Sequence, residues 1–176
     1  DKKSRQMLHR AKAKNPEALV VAAGCYAQAA GEKLLEDTAI DLVIGNNKKA
    51  ELVQLLEERL AGREPQDAVI DISAAQEYEA LHIERQADHT RAFIKVQDGC
   101  NQFCSYCIIP YTRGRVRSRR PEDVEEEVRT LAEKGYQEIV LTGIHLSSYG
   151  TDFKEEPQDL LELTKRLHQI PGVKRI

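Results

Sequence analysis

Ala92-Phe93-Ile94-Lys95-Val96 runs into Gln97-Asp98-Gly99-Cys100-Asn101-Gln102-Phe103-Cys104-Ser105-Tyr106-Cys107, an apolar segment followed at once by a C-x3-C-x2-C run. The apolar residues predict a strand, and the glycine and polar residues after them predict a loop. Further on, Pro121 opens a helix, with Glu122, Asp123, Glu125, Glu126 and Glu127 near its positive dipole end. Gly135 closes it, and Ile139-Val140-Leu141-Thr142-Gly143 predicts the next strand. Residues 158–169 predict another helix, and Val173-Lys174-Arg175-Ile176 the start of a further strand. The order β-loop-α-β-α-β is the opening of a barrel or of an open parallel sheet.

The same alternation precedes it. Residues 1–14 read as a helix tail, and Leu19-Val20-Val21-Ala22-Ala23, between Pro16 and Gly24, as a buried strand. Residues 27–37 carry a helical pattern, and Ile40-Asp41-Leu42-Val43-Ile44 predicts a second strand ended by Gly45-Asn46-Asn47. Residues 48–61 predict an amphipathic helix with Leu52, Leu55, Leu56 and Leu60 on one face and Gly62 as its stop. Val69-Ile70-Asp71-Ile72 predicts a third strand. Residues 73–90 are polar and weakly periodic, which predicts a linker with a boundary near Thr90. The expected organisation is α/β throughout: one domain portion over 1–72, the linker over 73–90 and a second portion over 91–176. With no start signal before the first helix and a strand only beginning at Ile176, the sequence reads as a fragment.

Composition bounds the function classes. A hydrophobic fraction of 41% and a charged fraction of 31% suit a globular protein. No apolar stretch is long enough for a bilayer, and Asp1-Lys2-Lys3-Ser4-Arg5 has no signal-peptide core. The four cysteines are clustered rather than spaced as a disulfide framework, which favours thiolate ligation in a reducing cytoplasm. A net charge of −3 argues against a generally basic nucleic-acid binder. Against that background Arg113, Arg115, Arg117, Arg119 and Arg120 concentrate positive charge in one stretch.

Cys100, Cys104 and Cys107 admit three readings: core thiols, a zinc site, or an iron–sulfur site. Core packing gives no reason to gather three thiols in one loop. Structural zinc wants four ligands, usually in two separated pairs, and no second pair is present. Three thiolates can instead hold three corners of a [4Fe–4S] cluster and leave one iron open, whereas a full protein shell uses four. The alternating Arg-Gly-Arg-x-Arg pattern rules out an amphipathic helix. It fits an extended strip whose guanidinium groups meet phosphate oxygens, with a solvated loop as the plain alternative. Cys25 by itself reads as a small buried residue, and His145 as a packing or hydrogen-bonding residue. His82 and His89, in the linker, look ordinary.

The cysteine run, with an aromatic before its last cysteine and a strand just before it, resembles the signature of radical S-adenosylmethionine (SAM) enzymes. Gly24-Cys25-Tyr26-Ala27-Gln28, Asp98 through Pro110, Arg113 through Arg119 and Leu141-Thr142-Gly143-Ile144-His145-Leu146 together resemble the methylthiotransferases of that group. The resemblance covers essentially the whole chain and is strongest to the branch that acts on threonylcarbamoyladenosine in tRNA. It implies the C-terminal part of a Rossmann/flavodoxin-like N-terminal domain, followed by the first βα units of a radical SAM (partial TIM) barrel.

Further implications follow from the resemblance alone. Cys100, Cys104 and Cys107 would hold a SAM-bound [4Fe–4S] cluster. Cys25 would be the third ligand of a second, auxiliary cluster whose other two cysteines lie upstream, so that the fragment alone is expected to be inactive. Tyr106 would lie near the adenine of SAM and Gly143 near its methionine amino group. Arg113, Arg115, Arg117 and Arg119 would engage RNA. The implied reaction is methylthiolation at C2 of an adenosine next to the anticodon, with the tRNA anticodon loop and an electron donor such as flavodoxin or ferredoxin as partners, and no membrane. The alternatives are a related enzyme acting on isopentenyladenosine tRNA or on a ribosomal protein, and a non-enzymatic metal-bearing RNA-binding module.

Overall fold

Strand-forming residues organise two separate α/β units. The computed structural model describes residues 2–63, 68–79, 91–154 and 158–176. One unit comprises Asp1–Ala75 together with Tyr111–Arg113; the other comprises Gln76–Pro110 and Gly114–Ile176. His82 and His89, and most of the expected linker, lie outside the described residues.

In the first unit, helix α1 (Lys2–Lys14) precedes strand β1 (Val21–Ala23), helix α2 (Cys25–Ala30), strand β2 (Leu42–Ile44) and helix α3 (Leu52–Leu60). β1 and β2 pair in parallel, Val21 opposite Leu42 and Ala23 opposite Ile44. Both strands are short and apolar, and β2 is buried along its whole length. Three expectations need correction here. The 27–37 helix starts earlier and tightens into a 3-10 helix over Gly31–Glu36, where Gly31 takes φ 59°. The 48–61 helix likewise starts as a 3-10 turn over Lys49–Glu51. Of its four leucines only Leu55 is buried, while Leu60 is 74% exposed. Val69–Ile72 forms no strand. Its backbone is claimed elsewhere: the amide side chain of Gln28 donates to the Ile70 carbonyl at 2.8 Å, and Asp71 turns the chain by accepting from the Ser73 N–H at 2.9 Å.

The second unit is built around strand β3 (Arg91–Asp98). Helix α4 (Ile109–Thr112), whose last two residues belong to the first unit, strand β4 (Arg117–Ser118), helix α5 (Pro121–Glu133), strand β5 (Glu138–Gly143) and helix α6 (Leu160–His168) follow. The strand order is β4-β3-β5, with β5 parallel and β4 antiparallel to β3. A parallel pair needs a crossover, which α5 supplies. Along β3, Ala92, Ile94 and Val96 are buried while Arg91 and Phe93 are exposed, the period-2 signature of one packed face. That face meets Val124, Val128 and Leu131 of α5 and Leu163 and Leu167 of α6. Each such side chain contributes about 1.5–3 kcal/mol when fully removed from water.

The helix ends follow their residues. Pro121 stands at the start of α5, and Gly135, at φ 95°, lies just past its end. Asp159 caps α6 by accepting from the Glu162 N–H at 2.9 Å. Arg166 on α6 forms ion pairs with Glu125 and with Glu122, the latter at 2.9 Å. At the far end, Arg175 bridges in parallel to Glu138 of β5.

Candidate active site

The cysteine loop leaves the C-terminal end of β3, where open parallel sheets place their ligands. Gly99 makes the exit with φ 71°, and a Cβ there would lie 1.8 Å from the Arg115 carbonyl oxygen. Only glycine allows this approach. The loop is tied back by the Cys100 N–H donating to the Gly114 carbonyl at 3.1 Å, and by the Asn101 side-chain oxygen accepting from the Val116 N–H at 3.1 Å. Phe103 takes φ 49°, and the Cys107 N–H closes a turn onto the Cys104 carbonyl at 2.9 Å. Cys100 is buried, Cys107 half-buried and Cys104 exposed, and none is in a disulfide. Tyr106, between two of them, is 91% exposed.

The arginine stretch divides in two. Arg117 and Ser118 form β4 against Asp98 and Gln97, so an extended strip exists, but it is a sheet edge rather than a comb of free guanidinium groups. Arg117 and Arg119 are only 2% and 3% exposed. Arg119 forms a buried ion pair with Glu127 and donates to the Asp123 carbonyl at 3.0 Å. Burial pulls the Arg117 guanidinium below its ordinary pKa, opposed by the carboxylates of Asp98, Glu79 and Asp152. Arg115 and Arg120 are the exposed members. Arg115 stacks over the Phe103 ring, 4.4 Å from its centroid. Arg113 belongs to the first unit.

Gly143 ends β5 opposite Gln97 of β3. A side chain there would meet the Gln97 Oε1 and Leu146 Cδ2 atoms, each at 3.0 Å. His145 holds its imidazole Nδ1 2.6 Å from the Ser148 hydroxyl, which matches a local hydrogen-bonding role.

In the first unit Cys25 starts α2 after Gly24, at φ 98°. Burial pushes its thiol up, but the Asn46 amide, at 3.6 Å, and the Arg113 guanidinium together bring it below its ordinary value. Asn46 is buried and also donates to the Thr112 carbonyl at 2.7 Å.

Residues 94–176 match the Radical SAM superfamily. Over its full length the chain is 43% identical to the threonylcarbamoyladenosine tRNA methylthiotransferase MtaB of Aquifex aeolicus (strain VF5), covering 42% of that protein. It is 40% identical to MtaB of Bacillus subtilis (strain 168), again along the whole chain and 39% of the relative. The chain belongs to the radical SAM methylthiotransferase family. It spans about two-fifths of the length of these curated relatives. A tRNA-2-methylthio-N(6)-dimethylallyladenosine synthase of Thermoanaerobacter sp. (strain X514) is 41% identical over 94% of the chain and 35% of that protein. Among solved structures, the radical SAM methyltransferase TsrM from Kitasatospora setae shares the fold at TM-score 0.52 and 18% identity, over 87% of this chain and 33% of that one.

A radical SAM family implies SAM and a [4Fe–4S] cluster. Among the described residues, no three His, Cys, Asp or Glu side chains converge as ligands of a single metal ion. A four-iron cluster places its thiolates on separate irons, so its ligands stand farther apart. Three thiols outside any disulfide, on one loop, fit that group as a donor set. Sequence reading missed one residue in each unit. Gln97 and Asn46 are buried amides whose polarity had no visible partner in the linear chain. The available signal was a side-chain amide within two residues of a glycine at a strand end.

Proposed function

We propose that this chain forms part of a tRNA methylthiotransferase that adds a methylthio group to C2 of threonylcarbamoyl-modified adenosine next to the anticodon. The observation carrying this reading is the cysteine loop at the end of β3, beside the Gly143 end of the parallel strand β5. The relative 43% identical along the whole chain is named for threonylcarbamoyladenosine, against 41% over 94% of the chain for the dimethylallyl-type relative, which supports this base.

Cys100, Cys104 and Cys107 would hold the SAM-binding cluster, and Cys25 would be a ligand of a second, auxiliary cluster. When bound, cluster and SAM supply reductive cleavage of the sulfonium to a 5′-deoxyadenosyl radical, with the electron coming from a donor such as flavodoxin or ferredoxin. The chain's own work is placement. Gly99 turns the thiol loop, the backbone at the Gly143 end of β5 would face the amino end of SAM, and the exposed Tyr106 would lie near the adenine. Arg115 and Arg113 take the role of RNA contacts, and Arg117 and Arg119 brace the strand that carries them. Residues 1–72 correspond to part of a Rossmann/flavodoxin-like domain, 73–90 to a linker and 91–176 to the start of the radical SAM barrel, in a cytoplasmic enzyme. No described helix is long and apolar enough to cross a membrane.

Anaerobic iron–sulfide reconstitution tests the reading. Uptake of about four irons on the three-cysteine loop, with absorbance near 400 nm that shifts when SAM is added, is expected for three thiolates and one open iron. Stoichiometric zinc with no response to SAM overturns it.

A further inference from the structure

Gln97 is fully buried although its amide is polar. A buried amide is costly unless its donors and acceptor are paired. Here they are paired, and across two different elements. The Nε2 group donates to the Asp98 carbonyl at 2.7 Å and to the Gly99 carbonyl at 2.8 Å, both at the root of the cysteine loop. The Oε1 atom accepts from the His145 N–H at 2.8 Å, just beyond β5. The side chain also lies over Gly143, its paired residue, at the position a Cβ would otherwise approach. A register shift between Lys95 and Gln97 brings Gln97 level with Gly143.

We propose that Gln97 is a positioning residue that locks the thiol loop to the end of β5, so that the cluster ligands and the Gly143 end of the site form one SAM-binding surface. The inference rests on the proposed SAM site and goes beyond it by assigning the residue that sets its spacing. Cysteine ligation needs only the loop, whereas SAM must meet the loop and the β5 end together. Loss of Gln97 therefore weakens SAM binding while iron still loads. No side chain of another kind makes the same bonds: Glu lacks both donors and would set a carboxylate against two carbonyl oxygens, and Met lacks donors and acceptor alike.

The test compares the full chain with its Gln97→Met and Gln97→Glu variants and with Gln137→Ala, a substitution at an exposed position just before β5. Two measurements are made. SAM affinity is read from the cluster absorbance shift at matched iron content, and hydrogen exchange at the His145 amide is read on iron-free chain. Both Gln97 variants should load iron normally and bind SAM about tenfold or more weaker. Gln97→Met, which also removes the acceptor of the His145 N–H, should exchange that amide faster. Gln137→Ala should match the parent. Equal SAM affinity in the iron-loaded variants overturns the proposal. So does unchanged His145 exchange in Gln97→Met, which needs no iron and stays readable if one variant loads poorly. A parent chain that loads iron yet ignores SAM overturns the proposed function and this inference together; a parent that responds alongside equally responsive variants removes the inference alone.

Discussion

Single residues in this chain are constrained by close approach and by charge. Gly99 sits where a Cβ would overlap the Arg115 carbonyl, and no flexible neighbour can give way. Gly99→Ala should therefore lower the melting temperature and reduce iron uptake on the same loop; normal iron content at parental stability would contradict this. Asp41 is the clearest pH-sensitive residue. Burial pushes its carboxyl up, but the Val20 N–H at 2.8 Å and the Lys12 ammonium at 2.9 Å hold it below the ordinary carboxylate range. A depressed folded pKa contributes stability above the unfolded value, about 3.9, and loses it as pH falls through the folded value. Asp41→Asn should lower stability at neutral pH and flatten the acid limb of the stability curve, which urea titrations from neutral to strongly acidic pH will show.

Elements impose a second layer. β3 was legible from its alternation, because a strand with one packed face writes its burial into the sequence with period 2. β4 was not. Arg117 and Ser118 carry no apolar pattern, and their strand exists because Asp98 and Gln97 present an unpaired edge for them. Buried charge then makes the arginines unequal. Arg119→Ala removes a buried ion-pair partner of Glu127 and should cost about 3–5 kcal/mol, the usual penalty for breaking a buried pair. Arg115→Ala should leave stability near parental and lower RNA affinity, with a shallower salt dependence. Filter binding at several salt concentrations together with thermal melts separates the two effects. Leu131→Ala in α5 empties a fully buried site and should cost about 2–5 kcal/mol in denaturant unfolding.

For the whole molecule, the two cysteine sites belong to different units. Cys104→Ala should abolish the absorbance response to SAM, whereas Cys25→Ala should leave it intact; loss of the response in both would merge the two assignments. By itself the sequence determined the α/β alternation, the strand–cysteine loop–helix order and the family, because strand period, glycine placement and cysteine spacing are local properties. The arginine roles and the Val69–Ile72 segment were decided only by tertiary structure, since which guanidinium is buried and which carbonyl is claimed by Gln28 depends on partners far away in the chain. The same holds for the thiol loop: its three cysteines lie within eight residues, while a buried amide at its root bonds to a residue 48 positions away.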